Sequence, residues 1–273
     1  MGFPACAEIV RLGYSIAPTA ERAIALTRPK NPALLRLLCW GVHLYTATGV
    51  LWGLLALLAI QKNHFAEAYV WMAVAVVVDS SDGPLARWLE VRRHVPEFDG
   101  ALLDNIVDYL TWTFVPLMLV HQAGWMPAGW WPVLGVAMMS SLYNFSRADA
   151  KQSEKGFFRG FPSYWNFAVF IVDVGVRRLG PEAVALFLLG LSALSFAPVR
   201  FVYPNKATRF RPFFVWGSWA TAPLFFAMFA TYPAVPTWML LLASVYPILY
   251  IALSIWLDVQ DRLAERPAAE VEG

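Results

Sequence analysis

Apolar residues in this chain come in long runs, with polar and charged positions gathered between them. The strict alternation of a half-buried strand is absent. Eight stretches are mostly apolar over something near the ~20 residues that a helix needs to cross a bilayer. They are 36–60, 67–90, 100–121, 130–147, 164–178, 181–202, 213–231 and 236–257. The pattern predicts an all-α integral membrane protein with about eight transmembrane helices. The fifth stretch is short and is interrupted by Asp173, which stands one helical turn before Arg177 and is expected to pair with it. Gly49 and Gly53 form a GxxxG in the first stretch, which permits close packing with another helix. Residues 1–35 read as an N-terminal extension. Its segment AERAIALTR fits either an amphipathic helix lying on a membrane surface or a partly ordered tail. Residues 36–258 form one transmembrane domain, and 259–273 an acidic tail containing Pro and Ala. No internal repeat is visible, and no apolar core followed by a small-residue cleavage site marks a signal peptide.

Composition agrees with the runs, since 59% of the 273 residues are hydrophobic and only 15% are charged. A net charge of +2, with no basic arm and no repeated basic-aromatic pattern, argues against nucleic acid as a partner. The two cysteines are Cys6 and Cys39, the second inside an apolar run, so neither a structural disulfide nor a thiol metal site is expected. Charge also orients the chain. With the N-terminus inside, all but three of the 21 Lys and Arg residues fall on the inner side, the exceptions being Lys62, Arg177 and Arg178. Both termini are therefore predicted cytoplasmic.

Against this apolar background, DSSDGPLARWLEVRRHVPEFDGALLDNIVD at 79–108 places Asp79, Asp82, Asp104 and Asp108 in or beside membrane-compatible segments. An intramembrane carboxylate is costly and is by default functional. Asp79 and Asp82 are three apart and Asp104 and Asp108 four apart, so each pair shares one helix face. A short inner loop joins the two helices, which should pack antiparallel with their acidic faces meeting in the inner half of the membrane. Four carboxylates repel one another unless a cation lies between them. All-oxygen ligation suits Mg²⁺ or Mn²⁺, and two bridged ions fit the pattern. Gly83 and Ala86 make a small-residue shelf, and Arg87 is able to pair with a phosphate bidentately. The bland alternative is a salt-bridge cluster at a helix end, which does not require this spacing of Gly, Ala and Arg.

These residues resemble the signature of the CDP-alcohol phosphotransferases, D-x2-D-G-x2-A-R followed by G-x3-D-x3-D. Asp79, Asp82, Gly83, Ala86, Arg87, Gly100, Asp104 and Asp108 match it at every position. Between Arg87 and Gly100 lie twelve residues, more than the family usually has. That gap is similar to the bacterial phosphatidylcholine synthase branch of the family. So are VHLYTATG at 42–49, LLDNIVDYLT at 102–111, GFPSYWN at 160–166 and YPNKATRFRP at 203–212. The likeness covers roughly residues 36 to 257. It implies transfer of the phosphatidyl group of CDP-diacylglycerol to choline, giving phosphatidylcholine and CMP. It further implies a site facing the cytoplasm in a bacterial inner membrane, and a homodimer. Carried over by position, Asp79, Asp82, Asp104 and Asp108 are metal ligands, with Asp108 also the general base. Gly83, Ala86, Arg87 and Gly100 hold the CDP and its diphosphate.

Two rivals stand beside this reading. One is a family member with another acceptor, such as serine, inositol or glycerol phosphate. The other is a cation transporter, although transporters pair two inverted halves and here every acidic residue sits in one hairpin. Choline's quaternary ammonium calls for aromatic faces, and Tyr109, Trp112, Tyr143, Trp165 and Trp216 are candidates, each also readable as interfacial or core aromatics. Asn144 and Asn166 are able to orient substrate or to bond between helices. Asp149 is a candidate to offset choline's charge. Two inner loops carry Arg147, Lys151, Lys155 and Arg159, and then Lys206, Arg209 and Arg211. Positive-inside topology explains them, and lipid phosphate at Arg211 is the functional alternative. His43 and His94 are isolated, with no ligand role indicated.

Overall fold

The structure, a computed structural model, describes residues 29, 31–147, 151–152, 157–161, 163–197, 200–202 and 209–265. The AERAIALTR segment, Asp149, Lys155, Lys206 and the tail beyond 265 lie outside the described residues. The helices are α1 Pro32–Ala47, α2 Gly49–Gln61, α3 Phe65–Trp88, the short α4 Val91–His94 and α5 Gly100–Asp108. A π-helical turn, Tyr109–Phe114, leads from α5 into α6 Val115–Gln122. Then come α7 Pro132–Ser146, α8 Trp165–Val174, a 3₁₀ turn Val176–Leu179, α9 Pro181–Phe196, α10 Arg211–Thr231 and α11 Thr237–Glu265. Three strands, β1 Lys151–Gln152, β2 Phe157–Arg159 and β3 Arg200–Val202, lie between α7 and α10 in sequence.

Local chemistry explains several starts and stops. Pro32 sits in the first turn of α1, and the Asn31 side chain caps it, accepting from the backbone N–H of Ala33 at 3.0 Å and of Leu34 at 3.4 Å. Asp99 does the same for α5, accepting from Ala101 at 3.1 Å and Leu102 at 3.0 Å. Glu90, with φ 51°, breaks the chain between α3 and α4.

Helical structure occupies each of the eight apolar intervals, yet the lengths differ from expectation. Among the described residues, three stretches are long and apolar enough to cross a membrane: Pro32–Gln61 with 30 residues, Arg211–Thr231 with 21 and Thr237–Leu263 with 27. By contrast α8 has 10 residues, about 15 Å of rise against a hydrocarbon core of about 30 Å. The sixth interval is corrected at its end, since α9 stops at Phe196 and residues 200–202 form β3. The all-α expectation is corrected to that extent. The strands make a small antiparallel sheet in the order β1-β2-β3, with Lys151 opposite Phe158 and Phe158 opposite Phe201. In β3, Phe201 and Val202 are buried. The Tyr250 hydroxyl donates to the Val202 carbonyl at 2.8 Å, so residues after α9 gain partners as a strand that a longer helix would not supply.

The chain divides into two compact units, residues 1–49 with 76–107 and residues 50–75 with 108–273. The first has its core where Leu35, Cys39 and Val42 of α1 meet Leu89, Val91 and Val95. Ala86 and Trp88 pack against that cluster, and an Arg36–Glu97 ion pair closes its edge. Gly49 is pressed so closely against the Val107 side chain that a Cβ would collide with it.

The second unit has a larger core, built from residues such as Leu117, Leu119, Ala137, Trp165, Phe170 and Leu188. Within it Asp173 is buried and fully furnished with partners. It accepts from Tyr69 at 3.0 Å and Tyr232 at 2.8 Å, and its Oδ1 lies 2.9 Å from Arg177 Nε, the pairing expected from their spacing. Burial, together with the Asp173 hydrogen bond and charge, pushes the Tyr232 phenol above its usual range despite Arg177. Large apolar side chains on α10 and α11, among them Trp216, Trp219 and Leu241, point outward, as side chains facing lipid do.

Candidate functional site

The four aspartates lie where their spacing placed them, Asp79 and Asp82 on α3 and Asp104 and Asp108 on α5. Asp79, Asp104 and Asp108 each offer a carboxylate oxygen, and these oxygens all lie within 4.8 Å of one another. Like charges at such separations repel by about 3–4 kcal/mol per pair at an effective dielectric of about 20. The three carboxylates are half-buried, so water screens this only in part. An all-oxygen set converging at this spacing fits a divalent cation, whose oxygen ligands stand about 2.0–2.6 Å from the ion. The residues present therefore suit Mg²⁺ or Mn²⁺. His and Cys, which would favour zinc, are absent from the cluster.

Asp82 stands apart. It is buried, and its Oδ2 accepts a hydrogen bond from Thr46 Oγ1 at 2.7 Å. The neighbouring Ser81 hydroxyl shares a 2.8 Å hydrogen bond with the Tyr45 hydroxyl. Tyr45 and Thr46, in the last turn of α1, thus grip two consecutive motif residues. Neither was singled out from the sequence. Both lie 36 residues from their partners, are uncharged, and belong to an apolar run that reads as span. Pro84 lies inside α3 next to the motif, and the helix continues through it although Pro brings no N–H to the helix ladder.

The motif glycines have definite neighbours. A Cβ on Gly83 would stand 3.3 Å from Arg87 Nη1, so the guanidinium folds back over the glycine on the helix surface. Arg87 is exposed there, placed to meet an incoming anion. Ala86 turns the other way, into the core of the first unit. A Cβ on Gly100 would fall 2.6 Å from His43 Cε1, so only glycine lets the α1 imidazole lie against the start of α5. His43 is buried, 4.5 Å from the Phe98 ring, and its Nε2 has no hydrogen-bond partner among the described residues.

The aromatic candidates are distributed differently. Trp112 lies on the π-helical turn that directly follows Asp108, with its ring 5.5 Å from Tyr164 and 5.9 Å from Phe167. π turns are rare and frequent at functional sites. Tyr109 opens that turn, and its hydroxyl is 3.5 Å from the Met138 carbonyl. Trp165 is fully buried and donates to Ser141 Oγ at 2.6 Å. Tyr143 carries the Arg147 guanidinium 5.3 Å above its ring, and Trp216 is exposed. Asn144 donates to the Phe161 carbonyl at 2.8 Å. Both side-chain polar atoms of Asn166 are buried without a partner among the described residues. Arg211 is exposed at the start of α10, and Arg209 lies 3.7 Å from Asp261.

Comparison with known proteins bears on this arrangement. The family model for CDP-alcohol phosphatidyltransferase matches residues 34–203, which contain every motif residue named above. The chain is 37% identical over 183 residues to a phosphatidylcholine synthase of Pseudomonas aeruginosa, covering 65% of this chain and 76% of that protein. It is 32% identical over 176 residues to the phosphatidylcholine synthase of Borreliella burgdorferi, covering 64% and 74% respectively. To that of Legionella pneumophila it is 38% identical over 169 residues, 61% and 65%.

Proposed function

The chain belongs to the CDP-alcohol phosphatidyltransferase family, a family of membrane-embedded transferases, and from that premise we propose that it is a phosphatidylcholine synthase. In this reading it transfers the phosphatidyl group of CDP-diacylglycerol to choline. The choline oxygen forms a bond to the phosphorus that carries the diacylglycerol ester. The bond from that phosphorus to the oxygen bridging the diphosphate breaks, and CMP leaves with that oxygen. The hydroxyl proton passes to the Asp108 carboxylate, the general base. The observation that carries the proposal is the convergence of three motif carboxylates on α3 and α5, in a chain 32–38% identical to three phosphatidylcholine synthases.

A divalent cation held by Asp79, Asp104 and Asp108, with Asp82 as a fourth ligand and a second ion shared among them, would neutralise the diphosphate and stabilise charge on departing CMP. Arg87 binds the diphosphate from its perch over Gly83, and Gly100 keeps the start of α5 close to α1. Of the aromatic candidates we assign the ammonium to Trp112 and Tyr109, which follow Asp108 on the π-helical turn. Arg211 is assigned to lipid phosphate.

The protein is a multi-pass membrane protein. We place it in a bacterial inner membrane as a homodimer, with eight spans, residues 36–258 as one catalytic domain, and both termini and the aspartates on the cytoplasmic side. The distribution of Lys and Arg supports that orientation, and the dimer rests on the family likeness.

The test is an acceptor panel. Purified protein with labelled CDP-diacylglycerol and Mn²⁺ or Mg²⁺ is offered choline, serine, inositol and glycerol 3-phosphate in turn. Phosphatidylcholine is expected from choline, and EDTA is expected to stop it. Product from serine or glycerol 3-phosphate and none from choline would replace the acceptor assignment with the rival member of the family.

A further inference from the structure

Asp82 is the motif aspartate that does not belong to the converging group, and its surroundings differ from those of the other three. It is 5% exposed, and among the described residues its one partner is the Thr46 hydroxyl, itself 7% exposed. Among the described residues no ion pair engages it. A carboxylate so buried, with a single neutral donor, is under-compensated. The Thr46 bond goes to Oδ2, which leaves Oδ1 as the oxygen not engaged by Thr46.

The Thr46 hydroxyl has one proton and two acceptors in range, Asp82 Oδ2 at 2.7 Å and the Val42 carbonyl at 3.3 Å. The shorter bond goes to the charged acceptor, which is the stronger of the two. A carboxylate with one oxygen fixed in this way loses rotation about its terminal torsion. Its free oxygen then points in one direction and binds as a single-oxygen ligand. Threonine suits this task, because its β-branched side chain has few rotamers inside a helix.

We propose that Thr46 is a positioning residue for the metal centre: it holds Asp82 by one oxygen and so presents the other to the cation. This rests on the reading that the motif aspartates bind a divalent cation. Tyr45, one residue earlier, grips Ser81, which is no carboxylate. Its role is confined to docking α1 on α3.

The experiment measures Mn²⁺ binding to the full-length purified protein without substrate, by electron paramagnetic resonance of free Mn²⁺. Thr46→Val keeps the shape and removes the donor. It is expected to weaken Mn²⁺ binding by about tenfold, the usual effect of losing a group that orients a metal ligand. Thr46→Ser restores the donor and should bind within about twofold of the natural protein, by the same scale. Tyr45→Phe should leave binding unchanged. If Thr46→Val does not give folded protein, Thr46→Ala puts the same question. Natural affinity in both Val and Ala variants, or a Ser variant as weak as they are, overturns the proposal. A natural protein that binds no Mn²⁺ overturns the metal reading beneath it. A protein that binds Mn²⁺ in this Thr46-dependent way and makes no phosphatidylcholine overturns only the acceptor assignment.

Discussion

Two groups of acid in this molecule are arranged in different ways. In the second unit, Asp173 is ringed by donors: two tyrosine hydroxyls at 3.0 and 2.8 Å and the Arg177 guanidinium at 2.9 Å. Its charge is answered from within the chain. At the motif, Asp79, Asp104 and Asp108 bring carboxylate oxygens within 4.8 Å of one another, and Asp82 accepts from Thr46. That convergence makes a place for a cation from outside. A carboxylate provided with internal donors stabilises a fold, whereas carboxylates that converge hold the fold at some cost so that a cation has a place to bind.

The largest effect expected from breaking this contrast is at the motif. Asp108→Asn removes the proposed base with almost no change in shape. Turnover should fall by at least about 10³-fold, near the upper range for loss of general-base catalysis, while CDP-diacylglycerol binding and folding persist. Single-turnover formation of phosphatidylcholine, with nucleotide-lipid binding measured beside it, reads both quantities. Near-natural turnover would show that another group takes the proton.

A smaller effect separates the two aspartate environments by stability. Asp173→Ala strands two tyrosine hydroxyls that are largely removed from water. It should cost about 3 kcal/mol, given about 1–3 kcal/mol for each buried donor left unpaired. Asp104→Asn removes one charge from a repelling group, so in EDTA its melting temperature should equal or exceed that of the natural protein. The order reverses when Mn²⁺ is added. The ion should raise the melting point of the natural protein and of Asp173→Ala, and hardly that of Asp104→Asn, because stabilisation by a ligand requires its site. A lower melting point for Asp104→Asn in EDTA would mean that its bonds within the chain outweigh the repulsion.

The legibility of these two sites in the sequence differs for a physical reason. Spacing along one helix is visible in a sequence, so Asp79 with Asp82, Asp104 with Asp108, and Asp173 with Arg177 were each placed on a shared face. The match of eight motif positions then added their chemistry. Contacts between helices have no such signature. Thr46, Tyr45, Tyr69 and Tyr232 are ordinary members of apolar stretches or turns, and only the fold brings them to a carboxylate. His43 looked isolated because Gly100, the residue it packs on, offers no side chain to suggest a neighbour. The end of α9 and the strand β3 were hidden by composition, since Phe201 and Val202 suit a span as well as a strand. The π-helical turn after Asp108 was equally invisible, because it changes the hydrogen-bond register and leaves the residue pattern alone.

The smallest effect comes from a comparison of two tryptophans. Trp165 is satisfied inside the protein: fully buried, with its indole N–H on Ser141 at 2.6 Å. Trp112, itself buried, lies on the π-helical turn beyond Asp108, and its neighbour Tyr164, 5.5 Å away, is 45% exposed. If this pair receives the acceptor's quaternary ammonium, Trp112→Leu removes an aromatic face and keeps apolar bulk. The KM for choline should then rise by about tenfold, corresponding to the roughly 1–2 kcal/mol of a partly desolvated cation–π contact. The maximal rate should hold within about threefold, because the lost contact is made to bound choline and the transition state alike. Trp165→Phe loses only the Ser141 bond and should lower the melting temperature with the choline KM unchanged. Measuring both variants against choline, with CDP-diacylglycerol saturating, decides the matter. A choline KM that rises for Trp165→Phe and stays fixed for Trp112→Leu would move the ammonium from the π-helical turn to the face of α8.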